Sequence, residues 1–159
     1  MKFYDRESET AELWRIRQLT IDDSSRMTLV TGRRRIGKTT LIQRTYADTS
    51  MVYLFVKRRN EKELVQTFCE AIRSQIDIFI PNGMAQFTDL LRLLLEYSKQ
   101  HPFTLVLDEF QEFVHVNTDI FQDMQELWDT FHAQTHLNLI ISGSAYRLIQ
   151  NIFMLLIVN

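Results

Sequence analysis

The sequence predicts a three-layer α/β fold with a mainly parallel sheet flanked by helices, and three observations carry that expectation. Short, apolar, β-branched runs alternate with longer stretches of helical period. The short runs lack strict polar–apolar alternation, as strands covered on both faces do. Three of them end in polar chemistry: MTLVTG in a glycine, FTLVLDEF in two carboxylates, and LNLIISGS in a Ser-Gly-Ser turn.

Residues 6–20 place Leu13, Ile16 and Leu19 at helical spacing beside Trp14, with Ser8 as a cap. Residues 27–32 form the first strand. A helix from Lys38 to about Ala47 turns Leu41, Ile42 and Tyr46 inward, and residues 51–56 form the second strand. Asn60 and Glu63 resemble a capping box. They open a helix with Leu64, Val65, Phe68, Ile72, Ile76 and Phe79 on one stripe, broken by the IPNG of residues 80–83. A helix over about 84–100 carries Phe87, Leu90, Leu91, Leu94 and Leu95. The third strand spans 103–110, a helix of about 118–134 shows Phe121, Met124, Leu127, Trp128 and Phe131, and the fourth strand spans 137–144.

With 159 residues and 45% apolar content, the chain has enough material for one domain with its own core. The expected organisation is an N-terminal segment and helix (1–25), a core (26–146) and a C-terminal tail (147–159). A formal charge of −2 gives no general basic field, so nucleic acid is not indicated as a partner. Cys69, alone, excludes an internal disulfide and falls among apolar helical positions as a core thiol. The opening MKFYDRESETAEL carries charges where a secretory signal is apolar, and no run approaches a membrane span. The expected location is cytoplasmic, without a membrane partner. His132 and His136 stand four apart, but without an evident third ligand; their place near a helix end favours a structural role. His101 and His115 have no visible catalytic partner.

The strand–turn–helix around Gly32-Arg33-Arg34-Arg35-Ile36-Gly37-Lys38-Thr39 has the spacing G-x-x-x-x-G-K-S/T. This is the phosphate-binding P-loop, or Walker A, in its required context. Its glycines let the backbone curl with N–H groups facing inward, and the following helix adds positive potential at its N-terminus. Lys38 supplies a charge to the β and γ phosphates, Thr39 a hydroxyl for Mg²⁺, and Thr40 can reach the α phosphate. Arg33, Arg34 and Arg35 either form a solvated basic rim or contact a partner or neighbouring subunit.

Asp108 and Glu109 close an apolar strand about 70 residues later, as a Walker B pair does. The C-terminal ends of parallel strands border the crevice in which such sheets bind ligands. Asp108 would sit beside Thr39 and hold Mg²⁺, and Glu109 would act as general base toward the attacking water. Gln111 and Glu112 follow Glu109 and could orient water, but a solvated loop is the favoured reading. In ATPases with an extra strand between the two motif strands, a polar residue at the end of that strand senses the γ phosphate. Ser142 is the first choice for this role, with Ser144 in reserve; an ordinary Ser-Gly turn is the competing reading.

Taken together, FYDRESETAEL (3–13), GRRRIGKTTLI (32–42), LVLDEFQEF (105–113) and LIISGS (139–144) resemble the archaeal/bacterial AAA-like ATPase family, related to the STAND signalling NTPases. The resemblance implies an ASCE-type P-loop NTPase fold, with the Walker B strand separated from the P-loop strand by the fourth strand. It implies ATP with Mg²⁺ as the bound species, and Phe3 to Arg6 near the adenine, with Arg6 the best candidate contact. Family members usually continue into a fifth strand, an arginine-bearing segment and a helical or winged-helix region. Here the chain closes with LIQNIFMLLIVN, and Arg147 is the only arginine after the fourth strand. A missing fifth strand would leave the P-loop strand at a sheet edge, inviting a partner chain or a second copy.

The expected function is therefore Mg²⁺-dependent ATP hydrolysis, slow in isolation. The alternatives are a nucleotide-gated signalling or binding module with negligible turnover and, disfavoured by the Asp-Glu pair, a small-molecule kinase.

Overall fold

The computed structural model describes residues 7–31 and 37–144. In chain order these form α1 (Glu7–Asp22), β1 (Arg26–Thr31), α2 (Lys38–Thr45), β2 (Met51–Phe55), α3 (Glu61–Gln75), α4 (Phe87–Ser98), β3 (Phe103–Asp108), α5 (Asp119–Phe131) and β4 (Leu137–Gly143). A 3-10 helix, Phe110–His115, follows β3, and a shorter one, His132–Gln134, follows α5. The four strands make a parallel sheet in the order β1-β4-β3-β2. The fourth strand thus lies between the strand leading into the glycine-rich turn and the strand that ends in acid. This is the three-layer P-loop NTPase architecture expected from the sequence.

Alternation along the two central strands explains the layers. Leu105 and Leu107 of β3, with Leu139 and Ile141 of β4, join the larger core under α3, α4 and α5. Val106 and Ile140 turn to the other face, against Leu13 of α1 and Leu41, Ile42 and Tyr46 around α2. Both strands are buried throughout, which is why neither shows a polar period in its sequence.

Register is pinned at the start of β1. Ser25 donates its N–H to the Thr135 carbonyl at 2.8 Å, and its hydroxyl accepts the Leu137 N–H at 2.7 Å. At the opposite edge, Gln75 of α3 binds β2 through the Tyr53 N–H (2.8 Å) and carbonyl (3.4 Å), satisfying backbone groups that an edge strand leaves open. On the side of β1 away from β4 no strand pairs with it among the described residues.

Some expectations need correction. Ser8 is the second residue of α1, inside the helix and not its cap. Leu19 is 36% exposed; the buried positions of α1 are Leu13 and Thr20. The stripe of α3 stops short: the helix ends at Gln75, Ile76 turns extended, and Phe79 is 82% exposed. Arg73 of α3 reaches the Ile80 carbonyl at 3.1 Å, which ties the segment after the helix back to it. The Asn60 cap is present, its side chain accepting the Glu63 N–H at 2.9 Å. β3 ends at Asp108, two residues early, because Glu109 leaves the extended region.

Cys69 is buried, as expected for a core thiol, and burial pushes its thiol pKa up. His132 and His136 serve as helix-end donors: their Nδ1 atoms donate to the Trp128 and Thr20 carbonyls at 2.8 and 2.9 Å. No group of three or more His, Cys, Asp or Glu able to hold a metal occurs among the described residues. None of the described helices is long and apolar enough to cross a membrane.

Candidate functional site

The site lies where β1, β3 and β4 end, on the α1–α2 side of the sheet. Gly37 has φ +82°, a left-handed conformation that glycine adopts without a side-chain clash. It turns the chain into α2, whose ladder begins with the Leu41 N–H donating to the Gly37 carbonyl at 2.8 Å. No acidic side chain occupies the first turn of α2 and no side chain caps it, so its leading N–H groups keep their positive potential. Lys38, the first helical residue, is 6% exposed, and Thr40 follows in the same turn. Gly32, Arg33, Arg34, Arg35 and Ile36 lie outside the described residues, as do Arg6, Arg147 and the C-terminal tail.

Thr39 donates its hydroxyl to Asp108 Oδ2 at 3.1 Å. Asp108 is nearly buried at the last position of β3, and its Oδ1 accepts the Glu109 N–H at 2.9 Å. Tyr53 of β2 also donates its hydroxyl to Asp108 Oδ2. Burial, reinforced by the adjacent carboxylate, pushes the Tyr53 pKa far above its ordinary value and keeps the phenol protonated as a donor. Thr39 and Asp108 therefore offer two hard oxygens side by side. A divalent cation that favours oxygen and retains waters suits such a small donor set.

Glu109 has φ 54°, the only positive φ at a non-glycine among the described residues. Such a conformation costs on the order of 1 kcal/mol or more and persists only where its surroundings impose it. The restraint comes from both sides. Asp108 Oδ1 takes the Glu109 N–H, and the Glu109 carbonyl accepts the Glu112 N–H at 2.9 Å, opening the 3-10 helix. Phe110 and Phe113 of that helix are fully buried in the larger core. Glu109 is 8% exposed; Gln111 donates to its Oε2, and the Ser144 hydroxyl approaches its two carboxylate oxygens at 3.4 and 3.2 Å.

The solvated-loop expectation for Gln111 and Glu112 is thus wrong. Gln111 is buried against the carboxylate, and Glu112 pairs with Arg58 at 2.5 Å. The 3-10 helix causes this by turning Gln111 back beneath Glu109 instead of outward. Between the two serines, Ser144 is the one beside Glu109. Ser142 belongs to β4, opposite Val30, one residue beyond the Leu107–Ile141 pair and hence beside Asp108. Its hydroxyl is fully buried without a hydrogen-bond partner among the described residues, as is Gln111 Oε1. Two unsatisfied polar atoms beside the acidic strand end are costly unless a ligand or water meets them.

Thr39, Asp108, Glu109 and Ser142 thus meet where α2 begins and β3 and β4 end, with Lys38 next to Thr39 in the chain. Sequence alone does not assign Tyr53 to the site, and for Gln111 it favours a solvated loop over a role in orienting water. The one sign of Tyr53 is an aromatic hydroxyl inside the otherwise hydroxyl-free MVYLF strand.

A family model described as an AAA domain matches residues 21–150. An uncharacterized protein of Methanocaldococcus jannaschii is 37% identical over 57 residues, 36% of this chain and 55% of its own length. Among solved structures, a Walker-type ATPase of Pyrococcus abyssi superposes with a TM-score of 0.69 at 17% identity, covering 92% of this chain and 47% of its own. The ORC2 protein of Aeropyrum pernix, solved as ADPNP–ADP complexes, gives 0.65 at 20% identity, with coverages of 94% and 43%. Cdc6p of Pyrobaculum aerophilum gives 0.63 at 19% identity, with coverages of 94% and 41%. The chain therefore spans less than half of each of these structures and about half of the curated relative.

Proposed function

This chain belongs to the AAA domain family, and from that premise we propose that it binds ATP together with Mg²⁺ and hydrolyses it. The observation that carries the proposal is the 3.1 Å contact between Thr39 Oγ1 and Asp108 Oδ2, which joins the first turn after the glycine turn to the acidic strand end. The all-oxygen chemistry of that pair fits Mg²⁺, which takes few protein ligands and completes its shell with water and phosphate oxygens. Thr39 and Asp108 would hold Mg²⁺, which when bound would offset the negative charge of the phosphates.

Lys38 and the N–H groups leading α2 hold the phosphates, Gly32, Arg33, Arg34, Arg35, Ile36 and Gly37 contribute to nucleotide binding, and Thr40 contacts the α phosphate. Glu109 takes the proton of the attacking water, Ser142 senses the γ phosphate, and Arg6 lies against the adenine. The unpartnered Ser142 hydroxyl supports its role, since a γ-phosphate oxygen would satisfy it. The ADPNP–ADP complexes of the Aeropyrum relative support the choice of an adenine nucleotide. The test is Glu109→Gln: phosphate release is expected to fall about 10²–10⁴-fold with ATP binding retained. Normal hydrolysis by that variant would show that Glu109 is not the base.

A second reading, a nucleotide-gated module with negligible turnover, draws on a separate observation. The Glu109 carboxylate is held by Gln111 and Ser144, a posture that leaves it engaged before any water arrives. Comparing ATP affinity with steady-state phosphate release separates the two.

A further inference from the structure

Tyr53 lies at the middle of β2, level with Val106 of β3. It therefore shares the α1–α2 face with Asp108, two residues further along β3. Its ring packs, partly buried, on the smaller core of that face. Its hydroxyl reaches Asp108 Oδ2, the oxygen that also accepts the Thr39 hydroxyl at 3.1 Å, while Oδ1 accepts the Glu109 N–H at 2.9 Å. Three donors from three segments thus fix the orientation of one carboxylate. The Tyr53 backbone is braced in turn by Gln75, at 2.8 Å to its N–H and 3.4 Å to its carbonyl. The hydroxyl is presented from a fixed strand position and not from a mobile loop.

We infer that Tyr53 is a positioning residue for the cation that accompanies the nucleotide: its hydroxyl orients the Asp108 carboxylate toward Thr39 Oγ1, and so sets the oxygen pair that the cation meets. This rests on the Mg²⁺–ATP reading above, and adds to it a residue from a strand that carries neither sequence motif. Hydrogen-bond partners behind a metal ligand are typically worth 10–100-fold in metal affinity.

Tyr53→Phe removes the hydroxyl and keeps the ring. Calorimetry with ADP, in chelator and across a Mg²⁺ titration, reads binding without turnover. The expected result is unchanged ADP affinity in chelator and about a tenfold rise in half-saturating Mg²⁺. An unchanged Mg²⁺ midpoint overturns the inference, and so does an equal loss of ADP affinity with and without Mg²⁺ in a folded chain. Should Tyr53→Phe melt well below the parent, Tyr53→Met carries the same comparison. Asp108→Asn, run in parallel, separates the two levels. If it loses the Mg²⁺ response while Tyr53→Phe keeps it, the inference alone fails. If Asp108→Asn responds to Mg²⁺ like the parent, the Mg²⁺ reading fails and the role of Tyr53 falls with it.

Discussion

Thr39 and Asp108 meet at 3.1 Å although 69 residues separate them in the chain. The meeting is produced by topology: β4 fits between β1 and β3 and brings the start of α2 over the end of β3. Thr39→Ala is expected to raise half-saturating Mg²⁺ for nucleotide binding by at least tenfold while leaving the fold intact. Magnesium titrations followed by calorimetry or a fluorescent ADP analogue check it.

Lys38 stands next to Thr39 in the chain. In the proposed role, its loss would remove charge-assisted hydrogen bonds to phosphate, worth about 1.5–3 kcal/mol, or roughly 10–150-fold in affinity. Lys38→Ala is expected to weaken ATP and ADP binding by such a factor, in chelator as well as in Mg²⁺. That independence from the cation distinguishes it from Thr39→Ala in the same titration.

Gln111 restrains the carboxylate proposed as the base. Gln111→Leu is expected to free Glu109 and raise phosphate release by about tenfold or more, since a hydrogen bond to a charged group is worth about 1.5–3 kcal/mol. Nucleotide affinity should stay as in the parent. A fall in turnover would instead assign Gln111 to orienting water.

Tyr46 is fully buried under α1 and donates its hydroxyl to the Leu13 carbonyl at 2.7 Å. Burial pushes its pKa above the ordinary value. A raised folded-state pKa means that the contribution to stability is fully present below about pH 10, the unfolded value, and is lost as pH rises through the folded one. Tyr46→Phe should cost about 0.5–1.5 kcal/mol at neutral pH by removing this hydrogen bond, and should flatten the alkaline arm of a stability–pH curve from urea melts.

Phe113 packs against Phe87 and Phe110, with ring centroids 4.7 and 5.5 Å apart, and anchors the 3-10 helix that imposes the left-handed Glu109. Phe113→Ala is expected to destabilise the chain by about 3–5 kcal/mol. Phe113→Leu is expected to be milder and to lower turnover more than nucleotide affinity, because the first group to lose its support is Glu109. Thermal melts and a kcat-against-KM comparison check both.

The order of elements was legible because each local signal agreed with the next. Buried strands read as continuous apolar runs, and Asn60 announced α3 three residues before Glu63. Lys38, Thr39, Asp108 and Glu109 could be nominated because a phosphate turn and an acidic strand end would need fixed residue types at short spacing; what the structure adds is the contact of Thr39 with Asp108. Tyr53 could not be nominated, since its role depends on a strand pairing 55 residues away that no local pattern encodes. Gln111 was misplaced for a related reason: a Gln-Glu pair after a strand reads as solvated loop unless the 3-10 helix from Phe110 to His115 is known. Phe79 erred in the opposite direction, because helical spacing continues past the point where Ile76 turns extended.

The late-coming β4 also governs how the chain can mature. Its two neighbours, β1 and β3, have no other route into one sheet, and β1 pairs with residues about 110 positions downstream. During synthesis the first strand must therefore wait, with its hydrogen-bonding groups unclaimed by any described strand, until residue 143 has left the ribosome. Contacts of such long sequence separation slow folding and prolong exposure to off-pathway association. Nascent chains stalled before residue 137 should expose β1 to chaperones, and those released after residue 143 should not.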